Sequence, residues 1–278
     1  MRNRAFGVEI ECGVDHYGDP PDHECEEWDD ELGEMVQVEV EHCVACCGCW
    51  QDDEDGGPEF ARKLLWENGY RDWADQNIHN DGSGVEIPSP ILEGRRGLDE
   101  LGEVMALLRR NGFYTTPEDG LHVHHDAPEF VENDTLIAHL VELWEENLPV
   151  IDRMVAPNRR GGDYWACNSY ATRHPSMWES FKQNKSLDNL SLDKFRSLNV
   201  TSLYEHGTVE FRLHEGTLDF NEAASWVMFG QEFLELAKRK REVVTCASVI
   251  DLLRVTRTSP KSTRRLVEKA SRKEHAYA

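Results

Sequence analysis

Four short stretches of the chain carry side chains suited to one kind of chemistry. In Glu9-Ile10-Glu11 two carboxylates stand two residues apart, and a strand sends both to one face while Val8 and Ile10 go to the other. Taken alone, such a pair also suits a solvated sheet face. Gly120-Leu121-His122-Val123-His124 repeats the pattern with two imidazoles, and Val209-Glu210-Phe211-Arg212-Leu213 repeats it with a carboxylate and a guanidinium. Glu86 stands likewise between Val85 and Ile87. On one shared sheet these side chains would make a polar face of four carboxylates, two imidazoles and an arginine. So many like charges are tolerated when divalent cations stand between them. Hard cations take carboxylate oxygens and arginine grips phosphate bidentately, so the set points to a divalent-metal and phosphate site. His125 should point to the core or the sheet edge, and Asp81 in Asp81-Gly82-Ser83-Gly84 reads as a turn former.

A second cluster is of a different kind. Cys43-Val44-Ala45-Cys46-Cys47-Gly48-Cys49 holds four of the eight cysteines, with Cys25, His23 and His42 nearby. A C-x-x-C turn has the shape of a zinc knuckle, and bound Zn²⁺ would order a polar segment that has little core of its own. The candidate ligands are Cys43, Cys46, Cys49 and either Cys25 or Cys47. A second C-x-x-C is missing, so a disulfide, a redox role or inert thiols remain alternatives. Cys12, Cys167 and Cys246 are isolated and read as small core residues.

The elements that must position these residues follow from periodicity. Residues 5–12 alternate as a half-buried strand; Gly84–Ile87 is a second, stopped by Pro88 and Pro90, and Leu121–Asp126 a third. Leu198–Tyr204 and Val209–His214 read as strands of a hairpin joined by residues 205–208. Helical spacing marks Phe60, Leu64 and Leu65, then Leu98–Arg110 ending at Asn111-Gly112, then a long run from Asp134 to about Val155 that Pro149 should kink or split. Residues 156–190 read as loop, and helices fill the end of the chain. The mixture predicts an α+β fold with a largely antiparallel sheet and helices on one face.

Charge divides the chain. The 278 residues carry 53 Asp and Glu against 30 Lys and Arg, a net charge of −23. Residues 238–278 hold 12 Lys and Arg against 4 Asp and Glu, so the basic charge gathers in a tail behind an acidic body. No Lys or Arg occurs from Gly13 to Ala61, where one alternating run, Met35–Val40, suggests a hairpin. These breaks predict a main domain of residues 1–12 and 62–237, which the resemblance described below makes the catalytic one, an acidic cysteine-bearing insertion at 13–61, and a basic helical tail at 238–278 packing on the body. An acidic body repels phosphate backbones, which argues against nucleic acid as a partner. No apolar run is long enough to span a membrane or serve as a secretory signal, which predicts a cytoplasmic protein.

Phe6-Gly7-Val8-Glu9-Ile10-Glu11, Asp81-Gly82-Ser83-Gly84-Val85-Glu86-Ile87-Pro88-Ser89-Pro90, Gly120–His124 and Thr208–Asp219 together resemble, in the same order, the motifs of the amidoligase family. Its members are carboxylate–amine ligases of the glutamine synthetase and glutamate–cysteine ligase superfamily. The resemblance spans roughly residues 5–12 and 77–237, leaving out the insertion and the tail. It implies a glutamine synthetase-like catalytic domain that uses ATP and two or three Mg²⁺ to join a carboxylate to an amine through an acyl phosphate. The substrate would be a peptide, an amino acid or a cell-wall fragment. By the same resemblance Glu9 and Glu11 would be catalytic and contribute to two different Mg²⁺ sites. Glu86 would join the Glu11 site, and His122 and Glu210 the Glu9 site. His124 would face nucleotide phosphate, and Arg212 would steady the transferring phosphoryl group or the substrate carboxylate. Arg160, Arg196 and Asn199, with Asn168, fall where accessory nucleotide or substrate contacts lie. The residues alone leave two rivals: a metal-dependent hydrolase on the same face, and a non-catalytic acidic protein that binds a partner. Oligomeric state is left open.

Overall fold

A computed structural model of the chain describes residues 4–14, 24–29, 34–39, 56–81, 84–160 and 168–275. It begins with strand β1 (Ala5–Val14), followed by the hairpin β2 (Glu24–Asp29) and β3 (Glu34–Glu39). Helices α1 (Gly56–Glu67) and α2 (Arg71–Ala74) lead to β4 (His79–Asp81), β5 (Gly84–Pro88) and β6 (Leu92–Glu93). Helix α3 (Gly94–Arg110), β7 (Phe113–Tyr114), β8 (Gly120–Asp126) and α4 (Asp134–Ile151) come next. Then follow α5 (Tyr170–Arg173), α6 (Pro175–Asn184), β9 (Leu198–Asn199), α7 (Ser202–His206) and β10 (Thr208–Glu215). Helices α8 (Phe220–Arg239), α9 (Val249–Thr256) and α10 (Pro260–His275) complete the described chain.

The main sheet runs β4-β5-β1-β8-β10-β9, every neighbour antiparallel, with β6 and β7 paired to the two ends of β1. Its apolar face is built as the alternation requires: Phe6, Val8, Ile10 and Cys12 of β1 are buried, as are Val85 and Ile87 of β5 and Leu121 and Val123 of β8. Helix α8 packs on β8, and α3 and α4 pack on α8. The centre of the core is aromatic. Trp144 meets Phe211 and Phe233 edge-on, with ring centroids 5.3 and 5.4 Å away, a geometry that suits ring quadrupoles. Helix starts are capped by side chains: Asn133 accepts the Leu136 N–H for α4, and Asp219 accepts those of Asn221 and Glu222 for α8. This is the α+β, antiparallel architecture the sequence predicts. Among the described residues no helix is long and apolar enough to cross a membrane.

Several local expectations fail for physical reasons. Pro149 does not split α4: it falls in the last turn, the helix continues to Ile151, and a 3₁₀ turn takes over at 152–154. The expected strand 198–204 stops at Asn199, because Asn199 Oδ1 accepts the Thr201 N–H at 2.9 Å and its hydroxyl at 2.6 Å. That local bond competes with the ladder and turns the chain into α7, which ends at Gly207 with φ 70°. Residues 156–190 hold a real helix, α6, with Pro175 at its start and Trp178 and Phe181 buried. Helix α1 starts at Gly56 and buries Ala61 and Leu65 in the main core, so the expected insertion boundary at residue 61 falls inside a helix of the body. The tail forms α9 and α10, whose Leu252, Leu253, Leu266 and Ala270 join the same core.

Candidate active site

Register brings the predicted residues together. Glu9 pairs with His122, Glu11 with Glu86, and Glu210 with His124. Paired residues share a face, so four neighbouring strands, β5, β1, β8 and β10, stack their polar positions in one patch. In β10 the register shifts between Phe211 and His214. On the other edge of β10 the Arg212 N–H donates to Ser197 O at 2.9 Å, extending the β10–β9 pairing, and bulges commonly re-aim a side chain beside a functional site. The patch floors a cleft of about 680 Å³.

His122 is 2% exposed and sits between the two carboxylates of the first motif, Nδ1 3.0 Å from Glu9 Oε2 and Nε2 3.3 Å from Glu11 Oε1. His124 Nε2 lies 3.2 Å from Glu9 Oε1 and 3.7 Å from Glu210 Oε1. Behind it, His124 Nδ1 meets Thr208 Oγ1 at 3.1 Å and Ser202 Oγ at 3.3 Å, which fix the ring. Glu210 is buried; Asn199 Nδ2 donates to its Oε2 at 2.6 Å, and the Arg212 guanidinium donates to its Oε1 at 2.5 Å. The Gly120 N–H donates to Glu11 Oε2. A Cβ at residue 120 would come within 2.7 Å of His122 Nε2 and 2.8 Å of Glu11 Oε2, so any side chain there must displace both groups.

Three groups of side chains have ligand atoms within 4.8 Å of one another: Glu9, His124 and Glu210; Glu9, Glu86 and His122; and Glu11, Asp81 and Glu86. A hard cation holds oxygen ligands at about 2.0–2.6 Å, so ligand atoms up to roughly twice that distance apart fit around one ion. The electrostatics agree. The cleft is lined by eight Asp and Glu residues but only three Lys and Arg, Arg159, Lys194 and Arg212. Burial, and then the charge of Glu9, push the Glu86 carboxyl up to about 7. Burial works against ionised Glu9, but hydrogen bonds from His122 and His124 outweigh it and hold its pKa well below the usual carboxylate range. Burial also works against a charged His124, and Glu9 and Glu210 outweigh it, raising that pKa. Burial opposes a charged Arg212 too, and Glu210, Glu9 and Glu11 keep it protonated.

Glu9, Glu11, Glu86, His122, His124, Asn199, Glu210 and Arg212 all line the cleft. His124 shares a group with Glu9 and Glu210, while His122 shares one with Glu9 and Glu86. Two of the expected nucleotide contacts lie elsewhere. Arg196 is fully buried, donates to Ser191 O at 2.7 and 3.0 Å and to Asn168 Oδ1, pairs with Asp193 at 2.9 Å and lies over the Tyr170 ring. It clamps a loop. Arg160 donates to Val155 O at 3.0 Å and does not line the cleft; its neighbour Arg159 does, donating to Glu118 O at 2.7 Å. Asp81, at the end of β4, has a carboxylate oxygen within 4.8 Å of the ligand atoms of Glu11 and Glu86, and His79 Nε2 lies 3.7 Å from Glu86. Their signal, the acid and imidazole of His79-Asn80-Asp81, becomes legible only once β4 is known to pair with β5. Cys43, Cys46, Cys47 and Cys49 lie outside the described residues; Cys25 falls in β2, opposite Val38. Cys12 and Cys246 are buried and free, as expected of core thiols.

A family model described as "Putative amidoligase enzyme" matches residues 2–234, nearly the whole body of the chain. The protein belongs to this amidoligase family. Among solved structures it is similar to one titled "Crystal structure of novel glutamine synthase homolog", at TM-score 0.50 and 13% identity over 98% of this chain and 66% of that one. The chain thus spans just under two thirds of that homologue, which it resembles in fold. It is also similar to one titled "GmaS/ADP complex-Conformation 1", at TM-score 0.47 and 11% identity, covering 99% of this chain and 70% of that one. Comparison with curated proteins gave no match.

Proposed function

We propose that this amidoligase is an ATP-dependent carboxylate–amine ligase that works through an acyl phosphate on small-molecule or peptide substrates. Family membership supports the ligase class. The observation that carries the rest is the cleft, where Glu9, Glu11, Glu86 and Glu210 converge with His122 and His124, and Arg212 stands beside them. Glu11 and Glu86, with Asp81 in reach, suit one divalent cation; Glu9, His124 and Glu210 suit another, with His122 between Glu9 and Glu86. Bound Mg²⁺ would neutralise the oxygens of the nucleotide's terminal phosphates.

The chain's own residues do the remainder. Arg212 is held by Glu210 at the edge of the carboxylate patch, so its guanidinium is placed to steady charge on a phosphoryl group in transfer or to hold the attacking substrate carboxylate. An oxygen of that carboxylate bonds to the γ-phosphorus as the bond to ADP breaks. The amine then bonds to the acyl carbon, and phosphate and a proton leave. Thr208 and Ser202 orient His124, Asn199 orients Glu210, and the Gly120 N–H orients Glu11. Such fixed groups reduce the reorganisation needed at the moment of reaction.

Isothermal titration with a non-hydrolysable ATP analogue, with and without Mg²⁺, tests this. Binding that needs Mg²⁺ and disappears in a folded Glu11→Gln variant is the expected result. A folded wild-type protein that binds no nucleotide under either condition overturns the reading.

A further inference from the structure

The basic tail lies beyond residue 234, where the family match ends, yet one of its lysines is buried against the strand that closes the cleft floor. Lys269 of α10 is 6% exposed. Its Nζ meets His214 Nε2 at 2.7 Å, Glu215 Oε1 at 2.8 Å and Glu222 Oε2 at 3.4 Å, so all three ammonium protons have acceptors. His214 Nδ1 lies 2.6 Å from Glu215 O, a carbonyl that only accepts; Nδ1 therefore carries the ring proton and Nε2 accepts from Lys269. The register shift in β10 turns His214 to the core side, opposite Leu121 and against Trp226, and sets Glu215 opposite Gly120.

From Glu215 two routes reach the cleft, and one of them ends at a candidate metal carboxylate. The second oxygen of Glu215 accepts the Ala156 N–H at 2.9 Å, at the start of the turn that carries Arg159 to the cleft wall. The next residue, Gly216, donates its N–H to Asp119 O at 2.5 Å, and Asp119 is followed by Gly120, whose N–H holds Glu11.

We propose that Lys269 is a positioning residue for Glu11: by fixing the Glu215–Gly216 end of β10, it holds the backbone at 119–120 whose amide orients that carboxylate. The tail is thereby a working part of the cleft. The proposal rests on the reading above only where Glu11 is taken to hold a divalent cation.

Two measurements on the full chain test it: site-resolved hydrogen exchange at the Gly120 amide, and titration with Mn²⁺ alone as the metal probe. In Lys269→Met, Gly120 exchange should rise about tenfold or more while an interior amide of α4 such as Leu140 is unchanged, and Mn²⁺ affinity should fall about tenfold. A purely structural role would raise exchange at both amides together. Should Lys269→Met fail to fold, Glu215→Gln, which keeps an acceptor for Ala156 but loses the charge partner, should give the same selective rise to a smaller extent. A folded variant in which Gly120 exchanges as in wild type overturns the proposal. If wild type binds no Mn²⁺, the metal reading of Glu11 fails, and Gly120 exchange still decides whether Lys269 positions it.

Discussion

Gly120→Ala tests the geometry of the cleft floor with a single methyl. Because its Cβ would lie 2.7 Å from His122 Nε2 and 2.8 Å from Glu11 Oε2, each group must retreat by about 0.6–0.7 Å to reach ordinary contact near 3.4 Å. Both are side-chain ends rather than backbone, and the Glu11 carboxylate is the tip of a flexible chain. The fold should therefore survive with a cost near the low end of overpacking, about 1 kcal/mol, a fall in Tm of roughly 2–4 °C for a chain of this size. Function is another matter, because the retreat moves Glu11 off the Gly120 N–H and presses on His122, which links Glu9 to Glu11. Displacements approaching 1 Å at reacting groups cost about a hundredfold in rate, and loss of one charge-assisted hydrogen bond costs about 1.5–3 kcal/mol. Mg²⁺-dependent binding of an ATP analogue should weaken at least tenfold while circular dichroism and the melting curve stay close to wild type. Gly120→Ala that binds nucleotide as wild type does refutes the assignment of Glu11 and His122 to the cation site. A variant that unfolds outright refutes the claim that the two side-chain tips can yield.

Three further outcomes are expected. Arg196→Met should destabilise the fold by about 3 kcal/mol, since Ser191 O and Asn168 Oδ1 lose a buried partner, and should leave analogue affinity in the folded fraction unchanged; a selective loss of affinity without loss of stability refutes the loop-clamp role. His125 is fully buried with neither ring nitrogen hydrogen-bonded, and burial, then Arg4 and His124, push its pKa down to about 3. The unfolded chain takes up that proton below about pH 6.5 and the folded chain does not, so this group costs stability at about 1.4 kcal/mol per pH unit as pH falls from 6.5 toward 3. His125→Leu should remove that slope, and urea melts at pH 6.5 and pH 5 should show its advantage over wild type growing by about 2 kcal/mol; a constant difference refutes it. Metal analysis of the purified protein should find one zinc per chain, lost in Cys46→Ser, if the Cys43–Cys49 thiols form a knuckle with Cys25; zinc-free protein leaves the cluster to the disulfide or inert-thiol readings.

The centre of the sheet was legible in the sequence because β1, β5 and β8 alternate with a period of two. Val8 and Ile10 against Glu9 and Glu11, and Leu121 and Val123 against His122 and His124, declare both faces without knowledge of their neighbours. What a period does not encode is pairing. Asp81 and His79 gain their place beside Glu86 only through the β4–β5 register, and a residue read one strand at a time remains a turn former. Arg196 illustrates the converse error. Its motif position suggests a nucleotide contact, but Tyr170, Asn168 and Asp193, 3 to 28 residues away, are what surround it. The expected hairpin does pair, β9 with β10 antiparallel, but its first strand is cut short at Asn199 by one asparagine side chain bonding two residues ahead.

The β10 strand shows why a departure from regular structure belongs at this place. With an unbroken period of two, Glu210, Arg212 and His214 would all face the cleft, and Glu215 would point into the apolar core. The shift between Phe211 and His214 breaks that parity. Glu210 and Arg212 stay with the carboxylate patch, His214 turns inward to pack 5.1 Å from Trp226 and accept from Lys269, and Glu215 comes opposite Gly120. One extra residue thus serves two arrangements with one strand: Glu210 and Arg212 in the charged cleft and, past the shift, His214 on the core side and Glu215 opposite Gly120, both bonded to Lys269. Neither arrangement is available to a flat strand, because a buried carboxylate without the Lys269 ammonium would carry an uncompensated charge. The bulge and the tail helix are therefore a matched pair, and deleting the one-residue excess in β10 should damage the docking of α10 as surely as it damages the cleft.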